Sequence, residues 1–260
     1  MVQVVAHRGA SYDVAEHTLA AYQRAISEGA DALECDVRLT RDGVLVCVHD
    51  RRVDRTSNGR GVVSTLELAD LADLDFGQWR RPDTDVLLTA GWEEPDRDSS
   101  GVLTLERLMT LVAEAPGSVE LHVETKHPTR YAGRVERVLA ELVASYGAAA
   151  PPVTVMSFAP IGLRRMHAYA PGMPTVLLLE RLPRWLRGGT LPARVGIAGP
   201  SLEVLRRDPG YVDRAHSHGN RVHVWTVDEP ADVDFVIGLG VDAVITNRPQ
   251  AVLTTLGRSL

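Results

Sequence analysis

Short runs of β-branched residues alternate with helical patterns along most of this chain, and that alternation limits the folds open to it. It is typical of βα units wound around a parallel sheet. Because parallel strands are covered on both faces, they should be mostly apolar. We predict nine strands, at Val2–His7, Ala32–Leu39, Val44–His49, Ser118–Lys126, Val153–Phe158, Pro174–Leu179, Arg194–Ala198, Arg221–Val227 and Asp242–Thr246.

Helical patterns occupy most of the intervals, and a chain of 260 residues fits one α/β barrel, which needs about 250. We therefore predict a TIM (β/α)8 barrel as a single domain over residues 1–260, in which one of the short strands need not belong to the barrel. A doubly wound open sheet is disfavoured because no G-x-G-x-x-G follows the first strand. The predicted helices are His17–Gly29, Thr104–Glu114, Tyr131–Tyr146, Ile161–Tyr169, Ala231–Gly240 and Gln250–Leu256.

Residues 51–101, after the third predicted strand, form the least regular part of the chain. They are rich in Gly, Pro, Asp and Ser, which predicts an inserted loop with one short helix. Loops of this length are usually lids or specificity elements. Three tryptophans lie in or near loops, and we expect buried packing for them rather than an exposed apolar rim: Trp79, Trp92 and Trp185.

Composition excludes several classes of partner. The net charge of −6 and the pI near 5.8 disfavour a nucleic-acid binder, which needs a basic face. The sequence has no apolar run of 18 residues that would predict an integral membrane segment, and its first residues do not resemble a signal peptide. We therefore predict a cytoplasmic protein. The oligomeric state stays open. Only one of the 28 basic residues is a lysine, Lys126.

Acidic residues interrupt two predicted strands near their carboxyl ends, which is where barrel enzymes place their active sites. Glu34 and Asp36 are two residues apart, so both side chains face the same side of the second strand. Glu124, on the fourth strand, supplies a third carboxylate at the same end. Oxygen ligands without cysteine favour a hard divalent cation, Mg²⁺ or Ca²⁺.

Basic residues surround these carboxylates in the predicted barrel. His7 and His49 end two strands, and imidazoles titrate near neutral pH, so one can take a proton while the other gives one. Arg8 and Lys126 add positive charge. A cationic, metal-centred pocket of this kind suits a phosphodiester substrate, whose negative charge grows in the transition state.

The same residues, in this order, resemble the glycerophosphodiester phosphodiesterase family from Val4 to about Pro249. The resemblance implies a TIM barrel with a family-specific insertion after the third strand, a divalent cation, and cleavage of small-molecule glycerophosphodiesters to sn-glycerol 3-phosphate and an alcohol. It rests on HRG (7–9), LECDVRLTRDGVLVCVHD (33–50), DRTSNGRG (54–61), TLERLM (104–109), VETK (123–126), SF (157–158), VWTVD (224–228) and ITNRP (245–249).

The resemblance also implies a role for each site residue. Glu34, Asp36 and Glu124 would bind the metal, and His7 and His49 would be the general acid/base pair. Arg8 and Lys126 would bind phosphate and substrate oxygens, Trp225 would line the glycerol end, and Glu16 is a further candidate. A substrate hydroxyl would attack phosphorus to form a cyclic phosphate, which water then opens. We favour His7 as the base and His49 as the acid of the first step.

The chain departs from the family pattern at one position, where E-N-T reads Glu16-His17-Thr18. We expect His17 to cap the first helix or to bind the loop, rather than to contact the metal ligands or substrate.

Other polar side chains near the site are expected to be structural. By strand parity Cys35 faces the helices, whereas Cys47, His122 and His223 lie deeper in the barrel. Arg38 can pair with an acidic site residue.

Two alternative functions keep the same barrel: a lysophospholipase D-type phosphodiesterase, and a non-catalytic barrel that binds phosphate ligands.

Overall fold

The computed structural model describes residues 1–80 and 96–258. Its strands are β1 (Gln3–His7), β2 (Ala32–Leu39), β3 (Leu45–Cys47), β4 (Glu120–Thr125), β5 (Val153–Ser157), β6 (Thr175–Leu179), β7 (Ile197–Pro200), β8 (Arg221–Val224) and β9 (Ala243–Thr246). Its α-helices are α1 (Leu19–Ser27), α2 (Leu68–Ala72), α3 (Arg97–Ser100), α4 (Leu105–Glu114), α5 (Arg134–Ser145), α6 (Pro160–Tyr169), α7 (Leu202–Arg207), α8 (Tyr211–Ser217), α9 (Pro230–Gly238) and α10 (Pro249–Thr255).

Eight of these strands form a closed parallel barrel. Their order is β1-β2-β4-β5-β6-β7-β8-β9, and β9 pairs with β1 to close the ring. The predicted TIM barrel is confirmed. Since all eight strands run in one direction, their carboxyl ends meet at one mouth, and the residues that follow the strands surround it.

The third strand in chain order, β3, lies outside the barrel. It runs antiparallel to the end of β2, and Val37 pairs with Cys47. The hairpin turns at Asp42 and Gly43, where Gly43 has a φ of +94°. Our expectation that His49 ends a barrel strand was therefore wrong. The hairpin returns the chain instead to the mouth, where the Val48 amide donates to the Asp36 carbonyl.

Inward and outward side chains of the barrel form separate cores. The inward layer is small and includes Met156, Leu178 and Ile245. Between barrel and helices lie two larger clusters, one around Tyr22 and Leu105 and the other around the β6–β9 half of the barrel. This division follows from the period of two in each strand, which sends alternate residues to opposite faces.

Side-chain caps define the amino-terminal ends of α1 and α4. The Thr18 hydroxyl accepts a hydrogen bond from the Ala21 amide and begins α1, and Thr104 caps α4 in the same way at Arg107, as its sequence predicts. Two short helices between β7 and β8, α7 and α8, are absent from our sequence prediction. Both have fewer than eight residues, too few for a clear 3.6-residue period.

The described parts of the 51–101 insertion contain two short helices, α2 and α3, instead of the single one expected. Buried packing of the loop tryptophans was wrong for Trp79 and Trp185, which are exposed. Trp92 lies outside the described residues. In the described part of the chain, no helix is both long enough and apolar enough to cross a membrane.

Candidate active site

Three carboxylates meet inside the barrel at its mouth. Glu34 and Asp36 project inward from β2, and Asp36 is the register partner of Glu124 on the neighbouring strand β4. One oxygen from each of the three groups lies within 4.8 Å of the others, and all three side chains are buried. The arrangement agrees with strand parity and brings together the three residues predicted to bind metal.

The environment of the carboxylates differs from one to the next. The Asp36 pKa is held well below its usual range by the His17 hydrogen bond and by the charges of Lys126 and Arg8. Burial and the neighbouring Asp36 charge raise the pKa of Glu34 well above its usual range, and they raise that of Glu124 to about 8. Negative charge is therefore only partly compensated in this cluster.

Lys126 and Arg8 supply the positive charge. The Lys126 ammonium lies 2.8 Å from an oxygen of Asp36 and 2.8 Å from one of Glu124. Arg8 Nε lies 3.0 Å from Asp36 Oδ2, and its Nη1 lies 3.1 Å from Glu16. The single lysine of the chain thus sits between two of the predicted metal ligands.

His7 is positioned by a chain of hydrogen bonds. Asn247 Nδ2 donates to Asp228 (2.7 Å), so the Asn247 oxygen faces His7 and accepts from its Nδ1, also at 2.7 Å. The proton is then on Nδ1, and Nε2, which lies 3.9 Å from Glu34, keeps its lone pair. Burial and the Arg8 charge lower the pKa of His7 to about 4.

His49 has a different partner. Its Nδ1 donates to the Asp50 carboxylate at 2.7 Å, and Asp50 in turn binds Arg55 at 2.6 Å. A carboxylate stabilises an imidazolium in a way that a neutral amide does not. Burial still lowers the pKa of His49 from its ordinary value, while Asp36 and Asp50 oppose that shift.

His17 contacts the carboxylate cluster, contrary to our expectation that it caps the helix or binds the loop. Its Nε2 lies 2.9 Å from Asp36 Oδ2, its Nδ1 lies 2.7 Å from the Tyr22 hydroxyl, and Thr18 caps the helix. The left-handed backbone at His17, φ 61°, turns the ring inward. Glu16 stands farther out and bridges Arg8 and Arg55, so it supports the Arg8 side chain.

A pocket of about 120 Å³ opens over the cluster. Trp225 lines it and donates from Nε1 to the Gly199 carbonyl at 2.6 Å. Phe158 packs edge-on against Trp225 with ring centres 5.3 Å apart, and the Lys126 ammonium lies 6.0 Å from the Phe158 ring centre. Of the predicted site residues, the pocket is lined by His7, Arg8, Glu34, His49, Glu124, Lys126 and Trp225.

Sequence reasoning missed the residues that orient the two histidines. Asn247, just after β9, binds His7 from 240 residues away, and Asp228, after β8, holds the Asn247 amide in place. Asp50, next to His49 in the HD dipeptide, is the one member that a sequence signal could have indicated. Asn247 lies within the ITNRP motif, but nothing in that motif alone shows that it binds a histidine.

The other polar side chains near the site follow the sequence predictions only in part. Cys35 faces the helix layer as expected, whereas Cys47 lies with it there and not inside the barrel. His122 and His223 stack deep in the barrel, 5.4 Å apart. Arg38 makes no ion pair among the residues described and donates to the His49 carbonyl instead.

Comparison with known proteins agrees with this geometry. The model of the glycerophosphoryl diester phosphodiesterase family matches residues 7–251. The chain is 46% identical over 256 residues to the probable glycerophosphodiester phosphodiesterase 1 of Mycobacterium tuberculosis, covering 95% of this chain and 89% of that protein. It is 33% identical over 259 residues to the glycerophosphodiester phosphodiesterase of Bacillus subtilis, covering 96% and 84%.

Solved structures share the fold. A phosphodiesterase of Oleispira antarctica, determined with its product sn-glycerol-3-phosphate, superimposes with a TM-score of 0.84 at 22% identity and covers 98% of this chain and 96% of that one. A putative glycerophosphoryl diester phosphodiesterase of Silicibacter pomeroyi has a TM-score of 0.80 at 26% identity, covering 100% and 95%.

The barrel, the site at its mouth and these matches together define an enzyme that hydrolyses phosphoric diesters. The chain belongs to the glycerophosphoryl diester phosphodiesterase family. The predicted family, fold class and enzyme class are confirmed.

Proposed function

We propose that this enzyme uses a divalent cation and two histidines to hydrolyse glycerophosphodiesters to sn-glycerol 3-phosphate and an alcohol. The observation that carries the proposal is one pocket in which two imidazoles, each bound through Nδ1 to a single partner, flank a buried carboxylate cluster. The family and the 46% identical relative support the choice of substrate class.

The three carboxylates fit a hard cation. Their oxygens lie within 4.8 Å of one another, and the donor set holds no sulfur. Asp36 Oδ1 is buried and accepts no well-aligned hydrogen bond, although the Lys126 ammonium is near. Glu34, Asp36 and Glu124 would hold Mg²⁺ or Ca²⁺, which would withdraw charge from the bound phosphate.

The first chemical step needs a base and an acid on opposite sides of phosphorus. His7 Nε2 carries the free lone pair, so we assign it the proton of the attacking glycerol hydroxyl. His49, whose imidazolium Asp50 stabilises, gives its proton to the departing alcohol. The P–O bond to the glycerol hydroxyl forms, the P–O bond to the alcohol breaks, and a cyclic phosphate results.

The second step reverses these roles. His49, now neutral, takes a proton from water as water attacks the cyclic phosphate, and His7 returns its proton to the glycerol oxygen. Arg8 and Lys126 offer donors to the phosphate oxygens throughout both steps. They would stabilise the charge that develops on those oxygens in the transition state.

A substrate and metal panel tests the proposal. Purified enzyme that has been stripped with EDTA is assayed for release of glycerol 3-phosphate from glycerophosphocholine, glycerophosphoethanolamine and glycerophosphoglycerol, with and without Mg²⁺, Ca²⁺ or Mn²⁺. We expect turnover only after a cation is restored. Turnover that persists in EDTA would remove the metal from the proposal, and no turnover on any glycerophosphodiester would overturn it.

A second candidate substrate class is lysophospholipids. The pocket has an apolar wall of Met156, Leu178 and Ile245, and Phe158 at its rim is exposed. A lysophospholipid carries its acyl chain on the glycerol, and this wall packs against Trp225, the residue proposed to line the glycerol end. Adding lysophosphatidylcholine to the panel decides between them, since only the lysophospholipid reaction yields an acylated glycerol phosphate.

A cytoplasmic location stays a prediction, as does the single-domain organisation over residues 1–260.

A further inference from the structure

A second cavity adjoins the catalytic pocket. It has a volume of about 240 Å³, twice that of the pocket over the carboxylates, and Lys126 lines both. We call it the arginine cavity, after Arg38, Arg51 and Arg130 in its wall. Tyr131 and Ser64 also line it, and the Tyr131 hydroxyl donates to the Ser64 carbonyl. None of the three arginines has a role in the chemistry proposed above.

These arginines lack close negative partners. Among residues 1–80 and 96–258, no carboxylate lies within 4.0 Å of any of these three guanidinium groups. Other arginines in the same residues form 13 ion pairs with carboxylates within that distance. Arg130 lies 5.9 Å from the ring centre of Tyr131. Burial lowers the pKa of Arg38 from its ordinary value, while the charges of Asp36, Asp50 and Glu124, all beyond ion-pair distance, oppose that shift. Positive charge is thus concentrated in a concave site.

The position of the cavity relates it to the departing alcohol. Arg38 donates from Nε (3.0 Å) and Nη2 (2.7 Å) to the carbonyl of His49, the histidine that we assign to the alcohol. Arg51 follows two residues later. The arginine cavity has apolar residues of its own, Leu39, Val63 and Val135 among them, and of its lining residues only Lys126 also lines the catalytic pocket.

From this placement we infer that the arginine cavity binds the alcohol half of the substrate, and that it selects alcohols that carry a phosphate group. A phosphate monoester brings a charge of about −1.5 to −2 at pH 7, and guanidinium groups bind phosphate oxygens through paired N–H donors. The inference rests on the proposed function, because it extends the same site.

The reaction itself is unchanged for such a substrate. Water adds across the P–O bond between phosphorus and the alcohol oxygen, and the products are sn-glycerol 3-phosphate and the phosphorylated alcohol. The second phosphate stays on the alcohol and takes no part in bond breaking. Its only expected effect is on binding, and therefore on kcat/KM.

A matched pair of substrates tests the inference. Glycerophosphoinositol and glycerophosphoinositol 4-phosphate contain the same alcohol and differ by one phosphate monoester. We expect the cation-loaded enzyme to have about a tenfold higher kcat/KM for the phosphorylated compound, measured as initial release of glycerol 3-phosphate at low salt, a ratio that corresponds to about 1.4 kcal/mol. The preference should shrink at high salt, because exposed charges are screened.

A double variant, Arg51→Gln with Arg130→Gln, locates the effect. Both side chains are exposed and supply two of the three guanidinium charges of the cavity, so we expect this variant to lose the preference, with its own turnover of glycerophosphoinositol as the reference for the ratio. The matched control is Arg107→Gln with Arg137→Gln, which removes the same charge from helices α4 and α5 on the outside of the barrel and should retain the preference.

The outcomes separate the two proposals. If the enzyme turns over neither inositol compound and no glycerophosphodiester of the panel above, the proposed function is overturned. Two results would overturn only the inference about the arginine cavity. One is turnover of both compounds without a preference, and the other is a preference that survives in Arg51→Gln/Arg130→Gln. Equal loss in the control pair would show an effect of overall charge and would also overturn it.

Discussion

Glu120 and Glu124 lie four residues apart on β4 and both face the inside of the barrel, one near its floor and the other at its mouth. Glu120 accepts a hydrogen bond from Gln3 Nε2 (2.9 Å) and another from Thr154, and it lies 3.2 Å from His122, so its pKa falls to about 2. Glu124 is buried beside Asp36, and its pKa rises to about 8.

The difference shows how one strand serves two purposes. At the floor, the Glu120 carboxylate has several partners, which stabilise its charged form in the folded chain. At the mouth, carboxylates crowd together with incomplete compensation, which costs stability in the absence of a cation but prepares a site for one. Substitutions matched between the two ends should therefore separate loss of activity from loss of stability.

The largest effect is expected from the histidines. His7→Gln and His49→Gln at the mouth should each lower kcat by about 10²- to 10⁴-fold, because each removes a general acid or base. His223→Gln at the floor should change kcat by less than about threefold. Steady-state kinetics with the cation present, together with circular dichroism of each variant, checks the comparison.

Near-normal rates in both His7→Gln and His49→Gln would overturn the acid/base assignment. A loss in His223→Gln as large as theirs would show that the two ends of the barrel are not functionally distinct.

A cation that binds at the mouth should stabilise the folded chain. A cation at 100 times its Kd adds about 2.7 kcal/mol to the free energy of unfolding, which for a chain of this size raises Tm by roughly 5–10 °C. The shift should vanish in Glu124→Gln and persist in Glu120→Gln. Thermal unfolding with and without Mg²⁺ or Ca²⁺ measures it, and an equal shift in both variants would exclude Glu124 as a ligand.

Lys126→Arg should lower kcat/KM by about 10- to 100-fold although it keeps the charge. The buried ammonium sits 2.8 Å from both Asp36 and Glu124, and we expect that a wider, planar guanidinium does not keep both contacts. Arg221→Lys, at the exposed start of β8, is the reciprocal control and should leave kinetics unchanged. An unaltered kcat/KM in Lys126→Arg would deny the lysine a specific role.

The smallest effect concerns stability at the floor. Glu120→Gln should lower the free energy of unfolding at pH 7 by about 1–2 kcal/mol, after allowance for partial exposure of the carboxylate. Because the folded pKa of Glu120 is depressed, its contribution is complete above pH 4.5 and fades as the pH falls towards 2. Urea unfolding between pH 7 and pH 3 should show the variant and the parent converging; a constant difference would contradict the assignment.

Several parts of this picture could be predicted from local sequence. The two-residue spacing of Glu34 and Asp36 predicts one shared face, and the barrel puts both inside. Thr104, before an apolar period, predicts the start of α4. These inferences hold because strand alternation and helix capping depend on neighbouring residues alone.

Other parts of the structure could not be predicted from the sequence, and the reasons are again physical. The predicted third barrel strand is a hairpin partner of β2, because five residues around Asp42 and Gly43 reverse the chain before a βα crossover can form. His17 was expected to cap a helix, but the adjacent Thr18 does so, and the left-handed backbone turns His17 onto Asp36.

By itself the sequence determined the class of fold, the inward direction of the carboxylates and the residue types gathered at the mouth, since each depends on periodicity and motif. Only the tertiary structure decided which partner each histidine has. Asn247 reaches His7 from 240 residues away, whereas Asp50 is the immediate neighbour of His49. That difference in partners, amide against carboxylate, distinguishes the two imidazoles, and closure of the barrel between β9 and β1 creates it.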